Sequence, residues 1–307
     1  MVTAGNKEES PDGLPKMKRR NEMIDLYETI TNEVIESLEK NVIPWRRPWS
    51  ISFEGISFNR LTRRPYSILN QILLSQDPGE YATFKGWSII GGKVKKGAKA
   101  KKIFFWKIYE RTEMNDKGEK VVKRIPVLRY YNVFSIRQVE NVYPLKPEEY
   151  ESEPIEDAER IVNEYITREG INFRAEASNQ AYYNPIKDEI VVPKLSQFRD
   201  SEEYYSTIFH EMVHSTMRPE RCNREAENGV TFFEDEDYSK EELVAELGSA
   251  FLCSRAGISN TRTLQNSESY IQSWIRALKN DKHLIVSAAS KSEKAVNFIL
   301  QEDPAET

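Results

Sequence analysis

Two of the chain's three histidines stand four residues apart around a glutamate, in His210-Glu211-Met212-Val213-His214. This H-E-x-x-H spacing restricts the fold more than any other feature. On a helix, residues four apart lie one above the other on one face. Both imidazoles can then approach a single ion, with Glu211 beside them. The residue types suit one chemistry: two neutral nitrogens as ligands for Zn²⁺ or another divalent transition metal, and a carboxylate that moves a proton during hydrolysis. A surface helix with two exposed histidines would have the same spelling. The flanks oppose that reading, because Ile208, Phe209, Met212 and Val213 form an apolar helix face suited to burial.

A catalytic zinc site needs a third protein ligand. His283 is a poor source, since a whole further helix precedes it. The stretch from Tyr238 to Ala256 predicts a helix, with Ser239 as N-cap, Glu242 completing a capping box, and Gly257 after its end. It carries Glu241, Glu242 and Glu246. Glu242 and Glu246 share a face, with apolar Leu243, Val244 and Ala245 between them. Like charges four apart repel on a solvated helix, and a nearby cation relieves them. Glu242 is the expected third ligand and Glu246 the expected acceptor for one imidazole N–H; the reverse assignment stays open. Glu241 is expected in solvent. Tyr182, Tyr183 and Tyr238 are candidate donors to a developing oxyanion, with ordinary packing as their plainer role. Cys222 could be a metal ligand or reactive thiol, with an incidental thiol the plainer reading. Cys253, after Phe251 and Leu252, is expected in the core.

At 307 residues the chain is long enough for two domains, each with its own core. The formal net charge of −5 hides a split: residues 16–142 carry +11 and residues 143–307 carry −14. Such asymmetry suits a nucleic-acid-facing half joined to a half with other work. No apolar run approaches the roughly 18 residues that cross a bilayer, so no membrane partner is expected. Residues 1–22 are polar and read as a disordered lead, not a signal peptide. Two cysteines without a C-x-x-C point to a reducing cytoplasm and no disulfide framework.

Hydrophobic spacing predicts a helix over 23–41, ended by Pro44, and a short one over 66–75. Residues 53–64 read as loop, and 81–87 as helix or strand. Two β-rich runs, 101–109 and 121–133, predict a hairpin with a long loop. Residues 143–155, rich in proline and acid, read as a linker. Helices are expected over 157–169, 202–217, 238–256, 267–280 and 283–300, with strand within 171–192.

The basic half has the composition of a single-strand binder, cations interleaved with aromatic platforms. Trp45, Arg46, Arg47 and Trp49 form one cluster. Lys93, Lys95, Lys96, Lys99, Lys101, Lys102 and Trp106 form another, with Arg63 and Arg64 adding charge. Core packing of the tryptophans and a solvated lysine turn are the competing readings.

The chain resembles the ArdC-like antirestriction proteins. The residues that carry this are Tyr27 to Trp49, Trp87 to Trp106, Arg129 to Gln138, Ala181 to Pro185, Phe209 to His214 and Glu241 to Cys253. The resemblance implies an N-terminal single-stranded-DNA-binding domain (23–142) and a C-terminal zincin-like metallopeptidase domain (156–307). It favours a helix within 81–87 and supports Glu242 as ligand. It also implies a role in sheltering incoming mobile DNA from host restriction. Where the family often has Trp-Thr-Gly after the second histidine, this chain has Ser215-Thr216-Met217. The expected fold is α+β in two domains, the first α+β and the second mostly helical with a small β-sheet. Single-stranded DNA is the expected partner, with a protein substrate possible. An active protease recruited to DNA-bound proteins, or a DNA binder with an inert structural zinc, are the alternative functions.

Overall fold

Asp25 starts the first helix: its carboxylate accepts hydrogen bonds from the backbone N–H groups of Tyr27 and Glu28 at 3.1 and 3.3 Å. Helix α1, Leu26–Glu39, turns Ile30, Thr31, Val34, Ile35 and Leu38 inward. A computed structural model describes residues 25–40, 43–45, 57–114, 120–145, 154–178, 180–198, 200–224, 236–258 and 267–302. The expected lead, most of the expected linker, and Arg46, Arg47 and Trp49 lie outside the described residues.

After α1 come β1 (Phe58–Asn59), α2 (Ile68–Leu74), β2 (Glu80–Thr83), α3 (Phe84–Ile89) and β3 (Lys93–Val94). The stretch 81–87, expected as one element, is two. Tyr81, Ala82 and Thr83 pair with a later strand, while the Thr83 hydroxyl accepts from Gly86 N–H at 3.0 Å and starts α3. The hairpin β4 (Lys101–Met114) and β5 (Lys120–Ser135) is longer than the sequence suggests and paired rung by rung. The first sheet has the order β1-β2-β5-β4; β3 pairs with β6 (Val139–Glu140) in a separate ribbon. The edge of β4 is covered by α2, whose Asn70 amide both donates to and accepts from the Phe104 backbone at 2.7 Å.

Helix α4, Pro154–Glu169, begins earlier than expected, with proline at its first position, where no N–H is needed. A three-stranded sheet follows, order β7-β9-β8, from β7 (Asn172–Glu176), β8 (Tyr182–Asn184) and β9 (Glu189–Pro193). Then come α5 (Ser201–Ser215), α6 (Glu236–Arg255), α7 (Ser267–Asn280) and α8 (Leu284–Leu300). Among the described residues no helix is long and apolar enough to cross a membrane.

Charge and composition suggested a separate core for each half. The main buried cluster instead runs through both. Ile30, Val34, Leu38, Trp45 and Ile72 from the first half join Trp274, Leu278, Ile285 and Ala289 from the last two helices. Trp45 and Trp274 meet edge to face with centroids 5.4 Å apart. Polar contacts close the same seam. Thr31 donates to the Lys282 carbonyl at 2.7 Å, Lys279 pairs with Glu39 at 2.8 Å, and Lys282 pairs with Asp25. Cys253 lies buried in this core.

Removing one indole from the seam tests whether the halves are coupled. Trp274→Ala is expected to cost about 3–5 kcal/mol and to lower one shared melting transition by about 10 °C. Two transitions of which only one moves would contradict a common core. A second test uses α8, where burial pushes the Glu293 carboxyl up to about 7. The folded state then ionises later than the unfolded one, so stability falls as pH rises through the window between the ordinary carboxylate value and about 7. Glu293→Gln should raise the melting temperature at pH near 8 and leave it unchanged near pH 4, as read by calorimetry.

Candidate metal centre

Helix α5 starts cleanly, with the Asp200 carboxylate accepting from Glu203 N–H at 2.9 Å. Its inner stripe, Ile208, Phe209, Met212 and Val213, is buried, which points His210 and His214 toward α6. Ser249 donates to the Ser206 carbonyl at 2.9 Å across the gap. At Gly248 a Cβ would lie 2.7 Å from Val213 Cγ2, so only glycine permits this approach. Ser292 on α8 holds α6 from behind through the Val244 carbonyl at 2.8 Å.

The close helix pair brings three potential ligand atoms together. His210 Nε2 and His214 Nε2 are 3.1 Å apart. Glu242 lies 3.5 Å from the first and 3.3 Å from the second. A tetrahedral zinc with bonds of roughly 2.0–2.1 Å needs ligand edges of about 3.3–3.4 Å. The edges of this triangle are of that size, the two to Glu242 ending on Oε2 and Oε1, and two imidazoles with one carboxylate are the donor set that first-row divalent metals take. Burial opposes ionisation of Glu242, yet the two imidazoles hold its carboxyl well below the usual range. Burial likewise opposes charge on His214, but Glu241 and Glu242 outweigh it and push the imidazole up to about 10. His210 is raised in the same way by Glu242. Such pent-up negative charge favours a cation at the triangle.

Glu211 sits beside the ligands and is buried, which pushes its carboxyl up; the Tyr183 backbone N–H donates to it. Strand β8 is held there by a buried ion network. Arg221 binds Asp188 at 2.6 and 2.9 Å, Glu169 at 3.2 Å and the Ser215 carbonyl at 2.8 Å. The Tyr183 hydroxyl donates to Asp188 at 2.7 Å, so this hydroxyl is committed away from an oxyanion. Tyr182 is exposed on β8, and the Tyr238 side chain lies outside the described residues.

One carboxylate departs from the place expected of it. Glu241, expected in solvent, has an oxygen 3.7 Å from His214 Nδ1. Arg224 grips the same carboxylate at 2.7 and 3.3 Å and also holds the Val213 carbonyl and the Thr216 hydroxyl. Glu246 is only half-buried and is not in the ligand cluster. Helix α6 also starts at Glu236, so Ser239 lies inside it and makes no capping box with Glu242. Arg224 and Gly248 had no signal in the sequence, since each acts through a residue far from it in the chain.

The nucleic-acid candidates divide. Trp45 is fully buried against Trp274 and offers no ring to a base. Trp106 is 37% exposed and leans on Tyr27 of α1, centroids 6.4 Å apart. Lys93, Lys95, Lys96, Lys99 and Lys101 are exposed, as are Arg63 and Arg64 in the turn after β1. Lys102 lies with its ammonium 5.4 Å from the Tyr130 ring. The Glu33 carboxyl of α1, raised by burial, feels the pull of Lys101 and Lys102.

Comparison with known proteins finds matches over both halves. Residues 24–134 match the family described as the N-terminal domain of anti-restriction factor ArdC, and residues 159–291 match the zincin-like metallopeptidase family. The crystal structure of antirestriction ArdC from the R388 plasmid, metal-free, is 29% identical with a TM-score of 0.70, covering 91% of this chain and 97% of that one. Its Mn(II)-bound form has a TM-score of 0.71 at 28% identity, covering 91% and 98%. The DNA primase TraC of Escherichia coli is 31% identical over 294 residues, 89% of this chain but only 27% of the primase. A second TraC primase is 28% identical, and the chain spans 20% of its length. The protein y4eC of Sinorhizobium fredii is 29% identical over 90% of this chain and 91% of its own.

Glu241→Gln leaves all three candidate ligands untouched but removes the charge beside His214. Metal affinity is expected to fall by about tenfold or more, measured by competition with a chelating dye. An unchanged affinity would remove Glu241 from the site.

Proposed function

The chain belongs to the ArdC-like antirestriction family, an ArdC-type N-terminal domain followed by a zincin-like metallopeptidase domain, and on that premise we propose that it binds single-stranded DNA and carries a metal-dependent hydrolytic centre. The observation that carries the reading is the His210–His214–Glu242 triangle with buried Glu211 beside it. The net +11 of residues 16–142 supports the DNA part, as does kinship with proteins named as primases. The whole primases extend far beyond the region shared with this chain, and their activity is not carried over.

His210, His214 and Glu242 would hold the ion, Zn²⁺ by donor preference; the R388 relative is described with Mn(II). A divalent ion there supplies Lewis acidity toward a peptide carbonyl and toward water. Glu211 is placed to accept a proton at its carboxylate and hand it to the departing amine. The Tyr183 N–H keeps that carboxylate in one orientation, and Arg224 with Glu241 does the same for the His214 ring. Tyr182, exposed on β8, is the remaining described candidate for an oxyanion donor. The biological role is protection of incoming mobile DNA from restriction, exercised in the cytoplasm.

Glu211→Gln separates the parts of this reading. The variant is expected to load metal and bind single strands as the wild type does, and to lose protection of transferred DNA in a restricting host. Full protection by this variant would overturn the hydrolytic part and leave a DNA binder with a structural metal.

A further inference from the structure

Resting on the reading of the N-terminal domain as a strand binder, we propose that single-stranded DNA lies on one face of the β4–β5 hairpin, where bases stack on the Phe105–Tyr131 pair and phosphates follow Lys107, Arg111 and Arg129, the first and last gathered around Tyr109. Rung partners in an antiparallel pair project to the same face, and successive rungs alternate between faces. The register places Ile103 with Tyr131, Phe105 with Arg129, Lys107 with Val127, Tyr109 with Ile125 and Arg111 with Lys123 on one side. Phe104 with Tyr130, Trp106 with Leu128 and Ile108 with Pro126 fall on the other.

The second of these faces is used by the fold. Phe104 is buried in the main core, Leu128 packs against it, and Trp106 rests on Tyr27 of α1. The first face, from the Phe105 rung outward, points away from α1. There the Phe105 and Tyr131 rings are parallel, 9° apart with centroids at 4.6 Å, and Tyr131 is 54% exposed. Tyr109 continues the row. Lys107 Nζ is 5.2 Å and the Arg129 guanidinium 5.7 Å from its centroid, and Arg129 also donates to its hydroxyl at 2.9 Å. Lys107 and Arg129 thus lie over the Tyr109 ring, which gathers their charge beside the exposed Tyr131 ring stacked on Phe105.

Charge agrees with the choice of partner. Beyond the body this face carries Lys107, Arg111, Lys123 and Arg129 against one acid, Glu113. Rings alternating with cations along an extended groove are the composition that holds single strands without base readout. A protein partner would find better material on the opposite face, where Ile108, Val122 and Met114 are apolar and exposed. The buried Trp45, by contrast, cannot serve as a platform.

The test uses the full chain and a fluorescein-labelled oligothymidylate, read by anisotropy across a salt series. Tyr131→Ala is expected to bind about tenfold more weakly with the salt slope unchanged, because it removes stacking and keeps every charge. Tyr131→Leu, which keeps bulk against Phe105, should weaken binding as much, and Tyr131→Phe should restore it. Lys107→Gln with Arg111→Gln should flatten the log–log salt slope by about 1.4, roughly 0.7 for each phosphate no longer neutralised. Ile108→Thr, on the other face, should bind as the wild type does. Melting curves establish that each variant is folded. Wild-type binding with the Tyr131 and Gln variants all within about twofold of it would overturn this face while leaving the domain reading intact. Failure of the wild-type chain to bind the oligonucleotide would instead overturn the domain reading itself.

Discussion

The contact between α5 and α6 at Val213 and Gly248 sets the separation on which the candidate metal centre depends. Val213 is β-branched and fully buried, so it cannot turn aside for a larger neighbour. With glycine opposite it, the helices come close enough for Glu242 to reach the imidazoles at 3.3 and 3.5 Å. A wider gap would pull the carboxylate out of a single ion's coordination sphere. The Ser249 and Ser292 hydroxyls then fix α6 against α5 and α8, so the spacing is held from both sides.

Around that contact the charges form a graded series. Arg224 neutralises Glu241, Glu241 faces His214, and the imidazoles face Glu242. Each group is buried or nearly so, and each would be costly alone. Together they are arranged so that one further cation completes the balance. On the other side of the imidazoles, Arg221 and Asp188 hold β8, and through its backbone they hold Glu211. Two arginines from one segment after α5 thus brace the candidate ligands and Glu211 separately.

The two family matches meet in one body. The basic domain contributes α1, α2 and Trp45 to the same core that α7 and α8 complete, so this half is not a tethered appendage. The β4–β5 hairpin leaves this core along its length. Its proximal rungs are packed and its distal rungs are exposed on both faces.

Local patterns in the chain were sufficient for the candidate ligands that the fold brings together and for most helices. His210, Glu211 and His214 are grouped by spacing on one helix, while the scarcity of other donors pointed to Glu242 with Glu246 left open as its alternative. These are short-range arguments, and helical periodicity carries them. The same arguments failed where a role depends on what lies across a gap. Glu241 looks like a solvated acid in sequence, and only the positions of Arg224 and the His214 ring show what it faces. Trp45 sits in a basic, proline-rich segment that suggests a base platform, yet its indole fills the seam against Trp274. Gly248 carries no pattern at all until Val213 stands opposite it. Sequence determined which groups could bind a metal or a strand. Tertiary packing decided which are buried, which face each other and which are left to solvent, because burial and opposition are properties of pairs that the linear chain keeps apart.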